Sequence, residues 1–125
     1  AESPLRITPS YLPPPYTRTG EGAGACAGKV VSVGQHCAGP DGGGINIARF
    51  GGRAVSVDAP LDLLTPITVG GKAAVLVKSL RLPGVPEDSD VGTWHLIIAE
   101  DFGFTEISAS RVSLSEVLKV AKGLK

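Results

Sequence analysis

Four residues of this chain could do chemistry as soft metal ligands or as a nucleophile and its base: Cys26, His36, Cys37 and His95. A structural zinc site usually shows paired ligands, such as two cysteines separated by two to four residues. Here ten residues separate Cys26 from Cys37. His36 and Cys37 are adjacent, so their side chains would point apart in an extended segment. The pattern predicts no metal site, no cofactor and no catalytic residue.

The two cysteines could instead form a disulfide. A bond between Cys26 and Cys37 would close a short loop and stabilise the fold by roughly 2–3 kcal/mol. Disulfides are typical of exported proteins, whereas a cytosolic protein would keep two inert buried thiols. We expect the disulfide, with the buried thiols as one alternative. The other is a nucleophilic Cys37 activated by His95.

The glycine-rich segment GEGAGACAGK, residues 20–29, invites comparison with a phosphate-binding loop. A Walker-type loop needs glycine at position 23 and serine or threonine at position 30, where this chain has Ala23 and Val30. The segment is therefore interpreted as a flexible hinge rather than a nucleotide site.

Composition limits the classes of partner. Twelve basic and twelve acidic residues give the 125-residue chain a formal net charge of zero. Nucleic-acid binding normally needs a basic excess on one face, so we expect no nucleic-acid partner. No stretch approaches the roughly 18–20 apolar residues of a membrane helix, so no membrane span is expected. Low net charge weakens self-repulsion and favours association with other proteins.

Residues 1–25 are predicted to form an extended Pro/Gly-rich arm that contains five of the ten prolines. Ordering such a segment costs about 1–2 kcal/mol per residue, which its few apolar side chains cannot offset alone. A fixed shape would require contact with the chain's own domain or with a neighbouring subunit.

The proline-rich part of the arm carries the strongest functional signal. Its sequence favours polyproline II, a stiff extended form that loses little entropy on docking. The tyrosines add contact area with a polar end. The residues predicted to bind a protein partner are Tyr11, Leu12, Pro13, Pro14, Pro15, Tyr16 and Arg18.

The rest of the chain, residues 26–125, is predicted to be one β-rich domain. Two Gly-Gly pairs, at 51–52 and 70–71, lie between β-prone runs and indicate hairpins. Pro66 would confine its strand to a sheet edge or a bulge. The run TWHLIIAE, residues 93–100, is predicted to be a central strand with Trp94, Leu96 and Ile98 on one face.

The C-terminus changes to helical spacing. Ser113 and Glu116 form a capping box, and an apolar stripe follows at three- and four-residue intervals. Lysines at the far end suit the helix dipole. A helix is therefore predicted over residues 113–124.

The expected fold is mainly β, a small barrel or two-layer sandwich with one C-terminal helix and the extended arm. The expected function is a non-enzymatic structural or accessory subunit, such as a particle-decorating or complex-stabilising subunit, that docks on a larger protein assembly through the arm. Two alternatives are an exported binding module or inhibitor stapled by the disulfide, and a small enzyme using Cys37 or His95. The sequence leaves the compartment open between an extracytoplasmic location, after removal of a signal peptide, and an assembled particle.

Overall fold

A computed structural model describes residues 7, 9, 11–13, 16–26, 29–39, 43–51, 64–80 and 91–124. These residues form seven strands followed by one helix. Their bounds are β1 (Thr17–Cys26), β2 (Lys29–Ala38), β3 (Gly44–Gly51), β4 (Leu64–Val69), β5 (Lys72–Leu80), β6 (Val91–Glu100), β7 (Gly103–Ser113) and α1 (Leu114–Lys122).

All seven strands belong to one antiparallel sheet in the order β1-β2-β3-β7-β6-β5-β4. Strands β1 and β4 lie at opposite ends of this order, so the sheet is open and does not close into a barrel. The predicted mainly β fold with one C-terminal helix is confirmed, in a sandwich-like rather than a barrel form.

Alternation of side chains gives the sheet a covered face and an open face. Along β6 the burial alternates residue by residue, and Trp94, Leu96 and Ile98 are buried as predicted. The face that carries them packs against α1 and the arm, and we call it the covered face. The face that carries His95 and Ile97 is the open face. The side chains that fill the core without measurable exposure include Ile45, Ile47, Leu96, Ile107, Val117 and Val120.

The helix α1 begins as its sequence predicts. The Ser113 hydroxyl accepts a hydrogen bond from the Glu116 amide at 3.3 Å and so caps the first turn. The helix ends at Gly123, whose amide donates back to the carbonyls of Lys119 and Val120. Val117, Val120 and Ala121 form its buried stripe. This stripe attaches the helix to the covered face.

The described residues of the arm also lie on the covered face. Ile7 is only 3% exposed, and its carbonyl accepts a hydrogen bond from the buried Gln35 amide at 2.9 Å. Pro9 forms a β-bridge with Leu124 just beyond α1. Tyr11 and Leu12 pack against the edge of the core. The chain's own domain therefore holds this part of the arm.

The last part of the predicted arm, residues 1–25, forms the edge strand β1, which begins at Thr17. Glycine disfavours strands, but β2 supplies hydrogen-bond partners from Thr17 to Cys26 and overrides that propensity. Strand β2 likewise continues through a glycine, Gly34.

One of the two predicted Gly-Gly hairpins is confirmed, and the other lies outside the described residues. Gly70 and Gly71 have φ values of 56° and 81° and join β4 to β5, which confirms that hairpin. The hairpin expected at Gly51-Gly52 involves residues 52–57, which lie outside the described residues. Pro66 lies on the edge strand β4, as predicted.

Candidate functional site

Strand register places four polar residues in a line across the open face. His36 lies opposite Asn46, Asn46 opposite Ser108, and Ser108 opposite His95. Residues directly opposite one another in antiparallel strands share a face, so their side chains form one row. We call His36, Asn46, Ser108 and His95 the polar row. It crosses β2, β3, β7 and β6.

At one end of the polar row, His95 contacts a hydroxyl and a carboxylate. Its Nδ1 lies 3.0 Å from Ser108 Oγ and 3.9 Å from Glu106 Oε1. The Ser108 hydroxyl donates to Glu106 at 3.3 Å. In the tautomer with the proton on Nδ1, His95 donates to Ser108 Oγ. Ser108 thus links His95 to Glu106 in one hydrogen-bond chain.

At the other end, His36 is bonded to a neighbouring amide. Its Nδ1 lies 2.5 Å from Asn46 Oδ1, an atom that can only accept, so Nδ1 carries the proton. In its neutral form His36 thus keeps its Nε2 lone pair as an acceptor. Three strand spacings separate the two rings by about 14 Å, too far to share a metal ion. Within the described ranges, no three His, Cys, Asp or Glu residues are grouped to hold a metal.

A groove of about 550 Å³ lies beside the polar row, across β1, β2 and β3. We call it the glycine groove. Gly20, Gly22 and Gly34 line it together with His36, Asn46 and Phe50. Phe50 stacks on Phe104, with the ring centroids 4.7 Å apart. The groove therefore combines exposed backbone with an aromatic wall and hydrogen-bonding groups.

The glycines of the groove are not required by the fold. A Cβ added at Gly20 or Gly22 would meet no atom within 4 Å, and one at Gly34 would be in ordinary contact with the Ile47 carbonyl at 3.8 Å. All three have a backbone conformation that other residues adopt readily. Glycine inside a strand nevertheless costs roughly 0.5–1 kcal/mol relative to alanine. Strand glycines often mark a place where another backbone approaches closely.

The groove is bounded on one side by the free edge of β1. Strand β1 pairs with β2 and is the terminal strand of the described sheet. Thr17 to Ala23 are exposed along it. An edge strand of this kind presents backbone donors and acceptors to another chain. The opposite edge, β4, is shorter and contains Pro66, which has no amide hydrogen to donate.

The predicted disulfide is not formed, since Cys37 is a free and buried cysteine. In the β1–β2 hairpin, Cys26 lies opposite Lys29 and Cys37 lies opposite Arg18. At a strand rise of about 3.3 Å, the eight residues from Lys29 to Cys37 put the two backbones roughly 26 Å apart. A disulfide needs Cα atoms within about 7 Å. The hairpin register therefore excludes the bond.

The structure also separates Cys37 from His95. Cys37 has no exposed surface on the covered face, whereas His95 lies on the open face. Burial raises the pKa of the Cys37 thiol, against a smaller lowering by the Arg18 charge. The adjacent side chains of His36 and Cys37 point to opposite faces, as predicted. The proposed Cys37–His95 pair is therefore wrong as a nucleophile and base.

The predicted partner-binding residues lie partly on the chain's own domain. The Tyr11 hydroxyl donates to Glu116 at 2.5 Å, and the Lys119 ammonium lies 5.9 Å from its ring centroid. Leu12 and Tyr16 pack on the core. Pro13 is buried, and its carbonyl accepts from the Tyr16 amide. Pro14 and Pro15 lie outside the described residues.

The Tyr16 ring packs closely against Gly39, whereas the Arg18 side chain is exposed. A Cβ at Gly39 would overlap the Tyr16 ring, so glycine is needed there for the ring to pack. Arg18 belongs to β1 and is exposed, 3.8 Å from Glu21. Among the predicted docking residues that the structure describes, only Arg18 borders the free edge.

Sequence reasoning missed the glycine groove, although a signal for it is present. Glycine recurs at positions 20, 22 and 24, which is the period of a strand face without side chains. No such signal marks Asn46, Phe50 or Ser108, because only the register of strands distant in the sequence brings these residues to the same face.

Comparison of the chain with protein-family models, with curated proteins and with solved structures finds no match. Among the described residues, no helix has the length and apolar character needed to cross a membrane. The function is therefore inferred from the geometry of the site.

Proposed function

We propose that this protein is a non-enzymatic structural or accessory subunit that docks on another protein of a larger assembly. The docking surface is the glycine groove together with the free edge of β1. The occupant is an extended polypeptide segment, because such a segment can use the edge hydrogen-bond groups and lie close to a floor without side chains.

The observation that carries this proposal is the exposed glycine floor. Gly20 and Gly22 weaken a strand, yet neither the backbone conformation nor the neighbouring atoms of this chain require them. A close approach by another backbone would account for both positions. The Phe50 ring beside the floor would supply apolar contact for an alternate side chain of the bound segment.

The polar row would orient the bound segment. His36 Nε2 is an acceptor next to the groove, and a backbone amide or a hydroxyl of the partner could donate to it. The bond from His36 Nδ1 to Asn46 fixes the ring. A partner with donors along its backbone matches this arrangement better than an anion would.

The arm remains a second docking proposal from the sequence. For Tyr11 to bind a partner, it would have to leave Glu116 and the core edge. The groove needs no such rearrangement. Tyr11→Ala separates the two proposals, since it removes a side chain of the arm and leaves β1 and the residues of the groove unchanged.

A photo-crosslinking experiment in the protein's source cells tests the proposal. The photoreactive residue p-benzoylphenylalanine replaces Ala23, an exposed β1 residue whose side chain points away from the groove floor. The matched control carries it at Thr68, exposed on the other edge strand. We expect the Ala23 position to crosslink one protein of defined mass and the Thr68 position not to do so. No crosslink from Ala23, or the same products from both edges, would overturn the proposal.

A further inference from the structure

The register of four strands gives the glycine groove a direction across the sheet. Gly22 lies opposite Gly34, and Gly34 lies opposite Ala48. On β7, Glu106 lies opposite Ala48. Residues opposite one another share a face, so these four form a row next to the polar row. We call the space above Gly22, Gly34 and Ala48 the floor channel. Its floor is backbone and one methyl group, and Glu106 lies at its inner end.

Larger side chains border the floor channel on both sides. The row on one side contains Phe50, which stacks on Phe104. The row on the other side is the polar row, which contributes His36 and Asn46. A long side chain lying in the channel would therefore place its carbon stem between an aromatic ring and the polar row. Its end would reach Glu106.

One oxygen of the Glu106 carboxylate is bonded and the other is not. Oε1 accepts a hydrogen bond from the Ser108 hydroxyl at 3.3 Å and lies 3.9 Å from His95 Nδ1. Both contacts use Oε1, and the described residues provide no hydrogen bond to Oε2. Among those residues, no lysine or arginine forms an ion pair with Glu106. The Glu106 side chain is 36% exposed, so a group in the channel can contact it.

We propose that the segment bound in the glycine groove carries a basic side chain, of lysine or arginine, that extends along the floor channel and pairs with Glu106. This inference rests on the proposed docking function and names the chemistry of the partner. Gly34 and Glu106 are two strand spacings apart, about 10 Å, which a long basic side chain and the glutamate side chain can bridge together.

The shape of the channel and its charge favour the same kind of side chain. The carbon stem of lysine or arginine can pack on an apolar floor while the charged group remains hydrated at the end. Backbone hydrogen bonds at the edge of β1 would accept many extended segments. A carboxylate at the inner end of the channel would select those with a positive charge at the matching position.

Crosslinking in extracts of the source cells tests the inference. Purified protein with p-benzoylphenylalanine in place of Ala23 is added over a range of concentrations, and the midpoint of product formation is measured. We expect Glu106→Gln to raise this midpoint about fivefold, the effect of losing one partly exposed ion pair. The matched control, Asp101→Asn, removes an exposed carboxylate of the β6–β7 turn that does not line the groove. It should leave the midpoint unchanged.

Charge reversal then tests the pair itself. Mass spectrometry of the crosslinked product identifies the partner's bound segment, and its basic residue is replaced by glutamate. We expect this change and Glu106→Lys each to abolish the crosslink, and the two together to restore it.

Three results would overturn the inference and leave the docking proposal standing. They are an unchanged midpoint in Glu106→Gln, a bound segment without lysine or arginine, and charge reversals that do not restore the crosslink. Absence of any crosslink while Glu106 is intact would instead overturn the docking proposal, and this inference with it.

Discussion

The Cys37 thiol lies fully buried on the covered face, opposite Ile45 of β3. Alkylation requires the thiolate, and burial both raises the thiol pKa and blocks the reagent. In native protein at pH 8 we therefore expect Cys37 to react far more slowly with iodoacetamide than in denaturant, as measured by peptide mapping. Equal rates in the two conditions, or recovery of a disulfide-linked peptide joining Cys26 to Cys37, would contradict this structure.

Tyr11 couples the arm to α1 and gives that contact a pH dependence. The hydrogen bond to Glu116 raises the pKa of Tyr11, with smaller contributions from desolvation and from the charge of Glu116. A pKa above the unfolded value of about 10 means that the stabilisation is complete below that pH. It is lost as the pH rises through the folded pKa. We therefore expect the arm to loosen in strongly alkaline solution.

Absorbance titration at 295 nm measures this coupling. The variant Tyr16→Phe leaves Tyr11 as the single tyrosine, since the chain has two. In that background, Glu116→Gln should lower the pH at which Tyr11 ionises, because the hydrogen bond to a carboxylate is lost together with its repelling charge. An unchanged titration would show that Tyr11 does not contact Glu116 in solution.

At the scale of elements, a hydrogen bond in the first turn stabilises the start of the helix. Ser113→Ala removes the hydroxyl that accepts from the Glu116 amide, and such a cap is worth about 1 kcal/mol. We expect the urea midpoint to fall accordingly with an unchanged slope. The variant Ser113→Asp keeps an acceptor at the same place and should retain most of the stability. Equal losses in both variants would mean that the cap contributes nothing.

The arm behaves as an element of the fold in its described part. Ile7→Ala creates a cavity on the covered face and should reduce the free energy of unfolding by about 3 kcal/mol. Hydrogen exchange should then quicken in β2, where Gln35 bonds the Ile7 carbonyl. An arm that docks only on other molecules would give neither effect in the isolated chain.

What the sequence could predict depends on whether the signal is local. Three signals involve only residues close together in the sequence, and all three are present in the structure: the Ser113 cap, the Gly70-Gly71 turn and the alternation along β6. The pairing of β3 with β7 joins residues about 60 positions apart along the chain and has no local signature. The polar row depends on that pairing, so it could not be predicted.

In the segment at residues 20–24 the sequence carries a local signal, but this signal is compatible with two different structures. Alternating glycines fit a hinge by propensity and fit an edge strand by period. The hydrogen bonds to β2 stabilise this segment as an edge strand rather than a hinge. A buried arginine such as Arg49 is similarly indistinguishable from a surface arginine in the sequence, because its burial depends on residues distant along the chain, such as Phe102 and Thr105.

At the scale of the whole molecule, we propose different roles for the two faces of the sheet. The covered face carries the core, α1 and the described arm, and its variants should change stability. The open face carries the groove, and its variants should change docking. Gly22→Val separates these effects, since a Cβ at Gly22 meets no atom within 4 Å and valine favours strands.

The most direct test is therefore size measurement of the tagged protein in native extracts of its source cells, for wild type and Gly22→Val. The control is Ala99→Val, an exposed position of β6 on the same face but outside the groove. We predict that wild type and Ala99→Val migrate in a larger complex, and that Gly22→Val migrates at the size of the single tagged chain. Its unfolding midpoint should not be reduced. A wild-type protein that migrates alone, or a Gly22→Val protein that assembles normally, would contradict the account.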